Sequence, residues 1–338
     1  FEEIMTAIVK KKLGSDQSIN DLFSYHFGSF KNEVNNHRRE NVTRNHDDDE
    51  DELDDERLYK EYKNIQSLMD EFDQMAGDYS TIHRRTGKDR LTIFEHYAKH
   101  VSRVVRVLQK QRGHMLLVGN SCTGKKTITR FAGYLADCEV TELEYSFAFR
   151  DELRSIIMRC GINGKQIAVI VNDYQLFENN IIDDINCIIN SIDMISFFSI
   201  DDIDKICNDL VVYAKSSGEN ESHENLLRLF LERATANIHI VICFQSNNPN
   251  LLKFLQMYPS FMAMMNVDYL EDWPESAYLQ YAKEKYTMDI NEAFEDNEEL
   301  ANKYTKVSYK IHQIVQSLSL QMEKKLQLKY VVTPALFM

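Results

Sequence analysis

Residues 114–130 read HMLLVGNSCTGKKTITR, and this stretch decides how the chain is to be understood. An apolar run enters a loop of small residues, two lysines follow, and the residues after them suit a helix. Gly119, Gly124 and Lys125 stand where the pattern G-x-x-x-x-G-K-[ST] puts them, but its last position holds Lys126 instead of a hydroxyl residue. In such a loop the backbone from Gly119 through Asn120, Ser121, Cys122, Thr123, Gly124, Lys125, Lys126 and Thr127 surrounds phosphates, and the helix N-terminus adds partial positive charge. Lys125 would reach the β- and γ-phosphates. A chance Gly-Lys turn would give the same letters, but the strand–loop–helix context argues against it.

A second element agrees. The run AVIVND, residues 168–173, is a buried strand ending in a carboxylate, and P-loop proteins place such an aspartate near Mg²⁺. Asp173 is therefore the expected metal ligand. The next residue, Tyr174, carries a phenol of ordinary pKa near 10, a poor base for attacking water. Gln175 offers an amide that would orient water without accepting its proton. Lys126 cannot ligate Mg²⁺ as a hydroxyl would, and Thr127 lies about 100° further round the helix. Gln245, after the apolar run IHIVICF, is either a γ-phosphate contact or a solvent-facing loop residue. No arginine follows Arg233, so the chain has none late in its sequence to act on a neighbour's phosphate.

Around these motifs, apolar runs at 114–119, 166–173 and 238–244 and an alternating segment at 139–145 are interleaved with helical stretches. This predicts an α/β fold: a P-loop sheet domain of AAA+ type, its parallel strands covered by helices on both faces. Helix-like patterns are expected over 1–36, over 57–75, from Ile93 to a stop at Gly113, and over a stretch ending at Gly161. A helical domain follows residue 270. Its longest helix, over 298–329, carries an apolar stripe of Leu300, Tyr304, Val307, Ile311, Ile314, Leu318, Met322 and Leu326 that is expected to pack within that domain. The run 46–56 is almost wholly acidic and reads as a solvated linker. The boundaries expected are 1–56 for a helical end plus acidic linker, 57–270 for the large nucleotide-binding domain and 271–338 for a helical lid.

With 338 residues the chain has length for two domains, and 43% hydrophobic content supports a core. A formal charge of −14 argues against a nucleic-acid binder, and no apolar run reaches the roughly 18 residues of a membrane span. The six scattered cysteines, lacking C-x-x-C spacing, read as buried free thiols. A chain that opens on Phe1 and stops at Met338 reads as a piece of something longer.

These blocks together resemble the fourth AAA+ module of a dynein heavy chain. IFEHYAKHVSRVVRVLQKQRGHMLLVGNSCTGKKTITRFAGYL is similar to that family's helix, strand and P-loop block, and VNDYQLFENNIIDDINCIINS to its Asp-x-Gln strand end with the helix that follows. YPSFMAMMNVDYLEDWPESA resembles its Phe-Pro and Asp-Trp segment, YVVTPALF its lead into the stalk, and FGSF, at 27–30, the end of the preceding module's lid. Lys126 stands where axonemal members often have glutamine, and Gln256 where many relatives have arginine.

The resemblance implies a module that binds ATP or ADP, with Mg²⁺ in doubt, in the ring of an ATP-driven microtubule motor of cytoplasm, cytoskeleton and ciliary axoneme. It implies neighbouring AAA+ modules as partners, intermediate and light chains in the parent complex, and microtubule binding through a stalk absent from this chain. Nucleic acid and membrane are not expected partners. Two other readings stand beside it. One is an active stand-alone P-loop ATPase or chaperone, which needs a base after Asp173. The other is a nucleotide-free scaffold in which Lys126 fills the metal's space.

Overall fold

A computed structural model describes residues 26–28, 60–62, 64–83, 90–143, 149–176, 181–191, 194–293, 298–327 and 330–337. The acidic linker, the Gly87-Lys88-Asp89 break and most of the expected helix over 1–36 lie outside the described residues. The chain divides into two units, residues 1–98 and 99–338.

In the first unit, β1 (His26–Gly28) pairs antiparallel with β2 (Lys60–Tyr62), with Phe27 opposite Glu61. Both stretches were expected to be helical. The helix α1 runs Ile65–Ile82 instead of beginning at 57, because Asn64 caps it: its side chain accepts the Gln66 N–H at 3.1 Å and its backbone is extended. Leu68, Met69, Phe72, Ala76 and Tyr79 form the buried face of α1. The division between units falls within α2 (Glu95–Leu108).

After α2 the chain turns sharply. A side chain at Gly113 would place its Cβ 1.9 Å from the Val107 carbonyl oxygen, so only glycine fits there. The second unit then alternates strand and helix: β3 (His114–Gly119), α3 (Lys125–Ala136), β4 (Glu139–Glu142), α4 (Phe149–Asn163), β5 (Ile167–Asn172), α5 (Asp173–Leu176), α6 (Ile181–Asn190), α7 (Ile200–Ser216), α8 (His223–Asn237), β6 (Ile238–Gln245), α9 (Asn250–Met257), α10 (Pro259–Met264) and β7 (Met265–Leu270). The five strands are parallel in the order β4-β5-β6-β3-β7. Every residue of β3 and β5 is buried, which is why these strands read as unbroken apolar runs. Register places Gly119 beside Gln245, and Asn172 beside Cys243, so the ends of β3, β5 and β6 open at one edge of the sheet.

Further expectations need correction. The strand β7 lacks the apolar run of its neighbours. It is an edge strand, exposed at Asn266, Val267 and Tyr269, and it buries a carboxylate, Asp268, held by His100 at 2.6 Å and Arg103 at 2.7 Å. Helix α4 does not stop at Gly161 but passes through it. A Cβ there would stand 2.3 Å from the Phe230 ring, so the glycine serves close packing of α4 on α8, and the helix ends before Gly164 at φ +65°. The third concerns α12 (Glu298–Leu326), which packs on α11 (Glu275–Ala293). Ala301, Thr305 and His312 are buried, Ser308 meets Tyr286 at 2.6 Å, and Tyr278 lies against Tyr309, His312 and Phe337. The expected stripe from Tyr304 to Leu326 faces solvent, Ile314 being 57% exposed. Periodicity marks an apolar face; it does not say what covers it.

No described helix is long and apolar enough to cross a membrane. The cysteines are free, and Cys122, expected buried, is exposed.

Candidate functional site

The loop between β3 and α3 is fixed by crowding and by hydrogen bonds from two other strand ends. A Cβ on Gly119 would lie 2.7 Å from the Leu270 carbonyl oxygen, so the last residue of β3 must be glycine for β7 to approach. Gly124, which precedes α3, has φ 101°, and Cys122 takes the left-handed region at φ 61°. Asn120 donates to Asp272 Oδ1 at 2.8 Å, and its own Oδ1 accepts from the Ser246 hydroxyl. The Ser246 N–H donates to the Gly119 carbonyl at 3.2 Å. The Trp273 indole donates to the Thr123 carbonyl at 3.3 Å, and Thr123 Oγ1 donates to the Asn120 carbonyl at 3.0 Å. Ser121 and Thr127 are half-buried on either side of this turn.

The two lysines part company. Lys125 folds onto its own loop, its Nζ donating to the carbonyls of Gly119 at 2.7 Å and Asn120 at 2.6 Å. Burial pushes its pKa below the ordinary lysine value, opposed by the nearby Asp173 carboxylate. Lys126 crosses to the end of β4, where its ammonium pairs with Glu142 Oε1. The other oxygen of Glu142 accepts from Arg130 Nη2 at 2.6 Å, and Asn172 Nδ2 donates to Oε1 at 3.2 Å. Burial works to raise the Glu142 carboxyl, but hydrogen bonds from Lys126 and Asn172 and the adjacent cations hold it below the ordinary value. Behind the lysines, burial pushes the Cys243 thiol up to about 12, leaving it neutral.

Asp173 is buried and encircled. Its Oδ1 accepts the Tyr174 N–H at 2.9 Å; its Oδ2 accepts the Gln245 N–H at 3.1 Å and Asn248 Nδ2 at 2.9 Å. Gln245 is thus brought to Asp173 by its backbone. Tyr174 is 55% exposed, its phenol oxygen accepting from Asn172 Nδ2 at 3.3 Å. Gln175, expected to orient water, is turned into the core. Its Oε1 accepts the Asn172 N–H at 2.7 Å and its Nε2 donates to the Leu143 carbonyl at 2.7 Å, so it ties β5 to the segment after β4.

Glu142, Asn172, Ser246, Asn248 and Asp272 were not picked out from the sequence as parts of this cluster. Their signal was position: each sits at or just beyond the C-terminal end of a parallel strand, where open α/β sheets place ligands. The arrangement suits phosphate, with a glycine-lined turn, a helix N-terminus and two lysines in its first turn. For proton abstraction from water it offers a phenol at Tyr174 and an amide at Gln175 that is already bonded at both ends.

A family model described as "P-loop containing dynein motor region D4" matches residues 90–338. Among curated proteins, the chain is similar to "Dynein axonemal heavy chain 1" of Mus musculus, 28% identical over 283 residues, which are 81% of this chain and 7% of the relative. "Dynein axonemal heavy chain 6" of Homo sapiens is 25% identical over 84% of this chain and 7% of its own length. "Dynein-1-beta heavy chain, flagellar inner arm I1 complex" of Chlamydomonas reinhardtii is 26% identical over 82% of this chain and 6% of its own. The chain therefore spans under a tenth of the length of these relatives. A solved structure, the "S. cerevisiae Hsp104:casein complex, Extended Conformation", aligns over 57% of this chain and 30% of that chain at TM-score 0.34 and 10% identity.

Proposed function

The chain belongs to the family of the P-loop containing dynein motor region D4, and on that premise we propose that it is a nucleotide-holding module of a dynein motor ring that hydrolyses its nucleotide slowly or not at all. The end of β5 supports this reading most. After Asp173 comes an exposed phenol, and the following amide is consumed by backbone hydrogen bonds, so neither of the two residues directly after Asp173 offers a carboxylate to take a proton from water. ATP or ADP would be held by residues 119–127, with Lys125 leaving its loop carbonyls for the phosphates.

In this reading residues 57–270 are the large nucleotide-binding domain, 271–338 the lid leading to the stalk, and 1–56 the end of the preceding module with its acidic linker. Neighbouring modules of the ring are the immediate partners. Microtubules are reached only through the parent's stalk, and the intermediate and light chains belong to the parent complex. The axonemal and flagellar names of the relatives support an axonemal parent. The test is single-turnover hydrolysis by this module within an intact ring whose other sites are disabled. Hydrolysis within minutes that depends on Asp173 would overturn the proposal.

A second reading, a nucleotide-free scaffold, draws support from Lys125 lying on its own loop. Mass spectrometry of nucleotide released from the purified protein separates the two.

A further inference from the structure

We propose that this site takes its nucleotide without a divalent metal, and that Glu142 is the counter-ion Lys126 exchanges for phosphate. The inference rests on the nucleotide-holding reading above.

The residues around the loop do not fit Mg²⁺. That ion demands near-octahedral oxygen ligands, which P-loop proteins supply from the hydroxyl after the lysine, a carboxylate, phosphate and water. Here the hydroxyl position carries an ammonium, which repels a dication. Asp173 already accepts three hydrogen bonds, two of them from backbone N–H groups that cannot turn away without unmaking the strand ends. Glu142 is engaged by Lys126, Arg130 and Asn172, and Asp272, a third carboxylate at this edge, accepts from Asn120.

The same network makes Lys126 movable. If its ammonium leaves Glu142, that carboxylate keeps Arg130 on one oxygen and Asn172 on the other, so no charge is stranded. Lys126 begins in the first turn of α3, beside Lys125, and a lysine stem of four carbons is long and flexible. Swung toward the loop, it would supply at the phosphates the positive charge that a metal supplies elsewhere. The ligand is then a metal-free nucleoside di- or triphosphate.

The experiment is calorimetric titration of the full 338-residue chain with ADP and with ATP, in saturating Mg²⁺ and in excess EDTA. The unmodified chain should show affinities that agree within about threefold between the two conditions. Lys126→Ser should bind more weakly in EDTA and regain affinity with Mg²⁺. Glu142→Gln, which weakens the hold on Lys126, should tighten binding in EDTA by roughly three- to tenfold, the scale of a partly exposed ion pair. Circular dichroism and melting curves establish that both variants are folded. A tenfold or greater loss of affinity on chelation in the unmodified chain, or no change in Glu142→Gln, would overturn the inference while leaving nucleotide binding intact. Absence of binding in both conditions would remove the nucleotide-holding reading and this inference with it.

Discussion

Lys125 Nζ lies 2.6 Å from the carbonyl oxygen of Asn120, five residues earlier in the chain, so the lysine that would meet phosphate spends its hydrogen bonds on its own loop. Nucleotide must compete with that contact and with the Gly119 carbonyl. Charge-assisted hydrogen bonds are each worth about 1.5–3 kcal/mol. Lys125→Ala should therefore weaken ADP binding by roughly one to two orders of magnitude in calorimetry. Because the loop is also tied to Asp272, Trp273 and Ser246, the variant should keep its melting temperature within a few degrees. Unchanged affinity would show that the lysine stays on its loop when nucleotide is bound.

Gly161 and Phe230 define how α4 meets α8. A methyl at 161 would stand 2.3 Å from a ring that is fully buried and has no room to retreat. Overpacking of this kind costs about 1–3 kcal/mol. Gly161→Ala should lower the denaturation midpoint accordingly, and Phe230→Leu should restore part of the loss in the double variant, although it is destabilising alone. Additive losses would mean that the two residues do not oppose one another.

The long helix α12 separates pattern from packing. Ile314→Asp should change the stability of this chain by no more than about 0.5 kcal/mol, because that side of the helix faces solvent. Ala301→Asp, on the face buried against α11, should cost several kcal/mol by leaving a carboxylate without a partner, on the order of 3 or more. Urea unfolding of the two variants side by side decides the matter, and equal losses would place the packing face wrongly.

That helix shows where the sequence stopped being readable. Its length and periodicity are local and came through; which of its faces meets α11 is a tertiary choice made by Ala301, Thr305 and the aromatic cluster around Tyr278. The phosphate loop was legible because Gly119, Gly124 and Lys125 are tied to one turn of backbone, whereas Glu142 reaches Lys126 only after α3 has folded back beside β4. Strand β7 escaped notice because an edge strand needs no unbroken apolar run, and its buried Asp268 reads as a surface residue until His100 and Arg103 are seen around it.

At the opposite end of the sheet from the phosphate loop, His114 is buried and accepts the Ile240 N–H through Nδ1 at 3.1 Å. Burial, reinforced by nearby His239 and Arg112, pushes its pKa from 6.5 down to about 4. Between those values the unfolded chain binds a proton that the folded chain refuses. The contribution to stability is therefore fully present above pH 6.5 and is lost as the pH falls toward 4, a span of roughly 3 kcal/mol. His114→Asn should flatten the dependence of unfolding free energy on pH in that window. It should not abolish it, because His239 is depressed in the same direction. An unaltered slope would assign the acid sensitivity to other groups.

The proposal that this module turns over ATP slowly or not at all is better tested by gain of function than by loss. Two parts can be restored. Lys126→Ser returns a hydroxyl to the first turn of α3 and frees Glu142 from one of its cations. Tyr174→Glu places a carboxylate directly after Asp173, at a position that is 55% exposed and therefore open to water. A general base is worth roughly 10²–10⁴ in rate, but only when the attacked phosphate is neutralised and aligned. Each change alone should raise single-turnover hydrolysis little. The base without the hydroxyl acts on a phosphate whose neighbouring charge is an ammonium, and the hydroxyl without the base leaves water unactivated. Together the changes should exceed the product of their separate effects, because both act in one transition state. The measurement is single-turnover hydrolysis of bound ATP in an intact ring with the other sites disabled, comparing the unmodified module, both single variants and the double variant. A double variant no faster than the better single one would mean that the missing base and hydroxyl are not what holds this site back. An arginine from a neighbouring module, worth roughly 10³–10⁵, would then be the part in shortest supply.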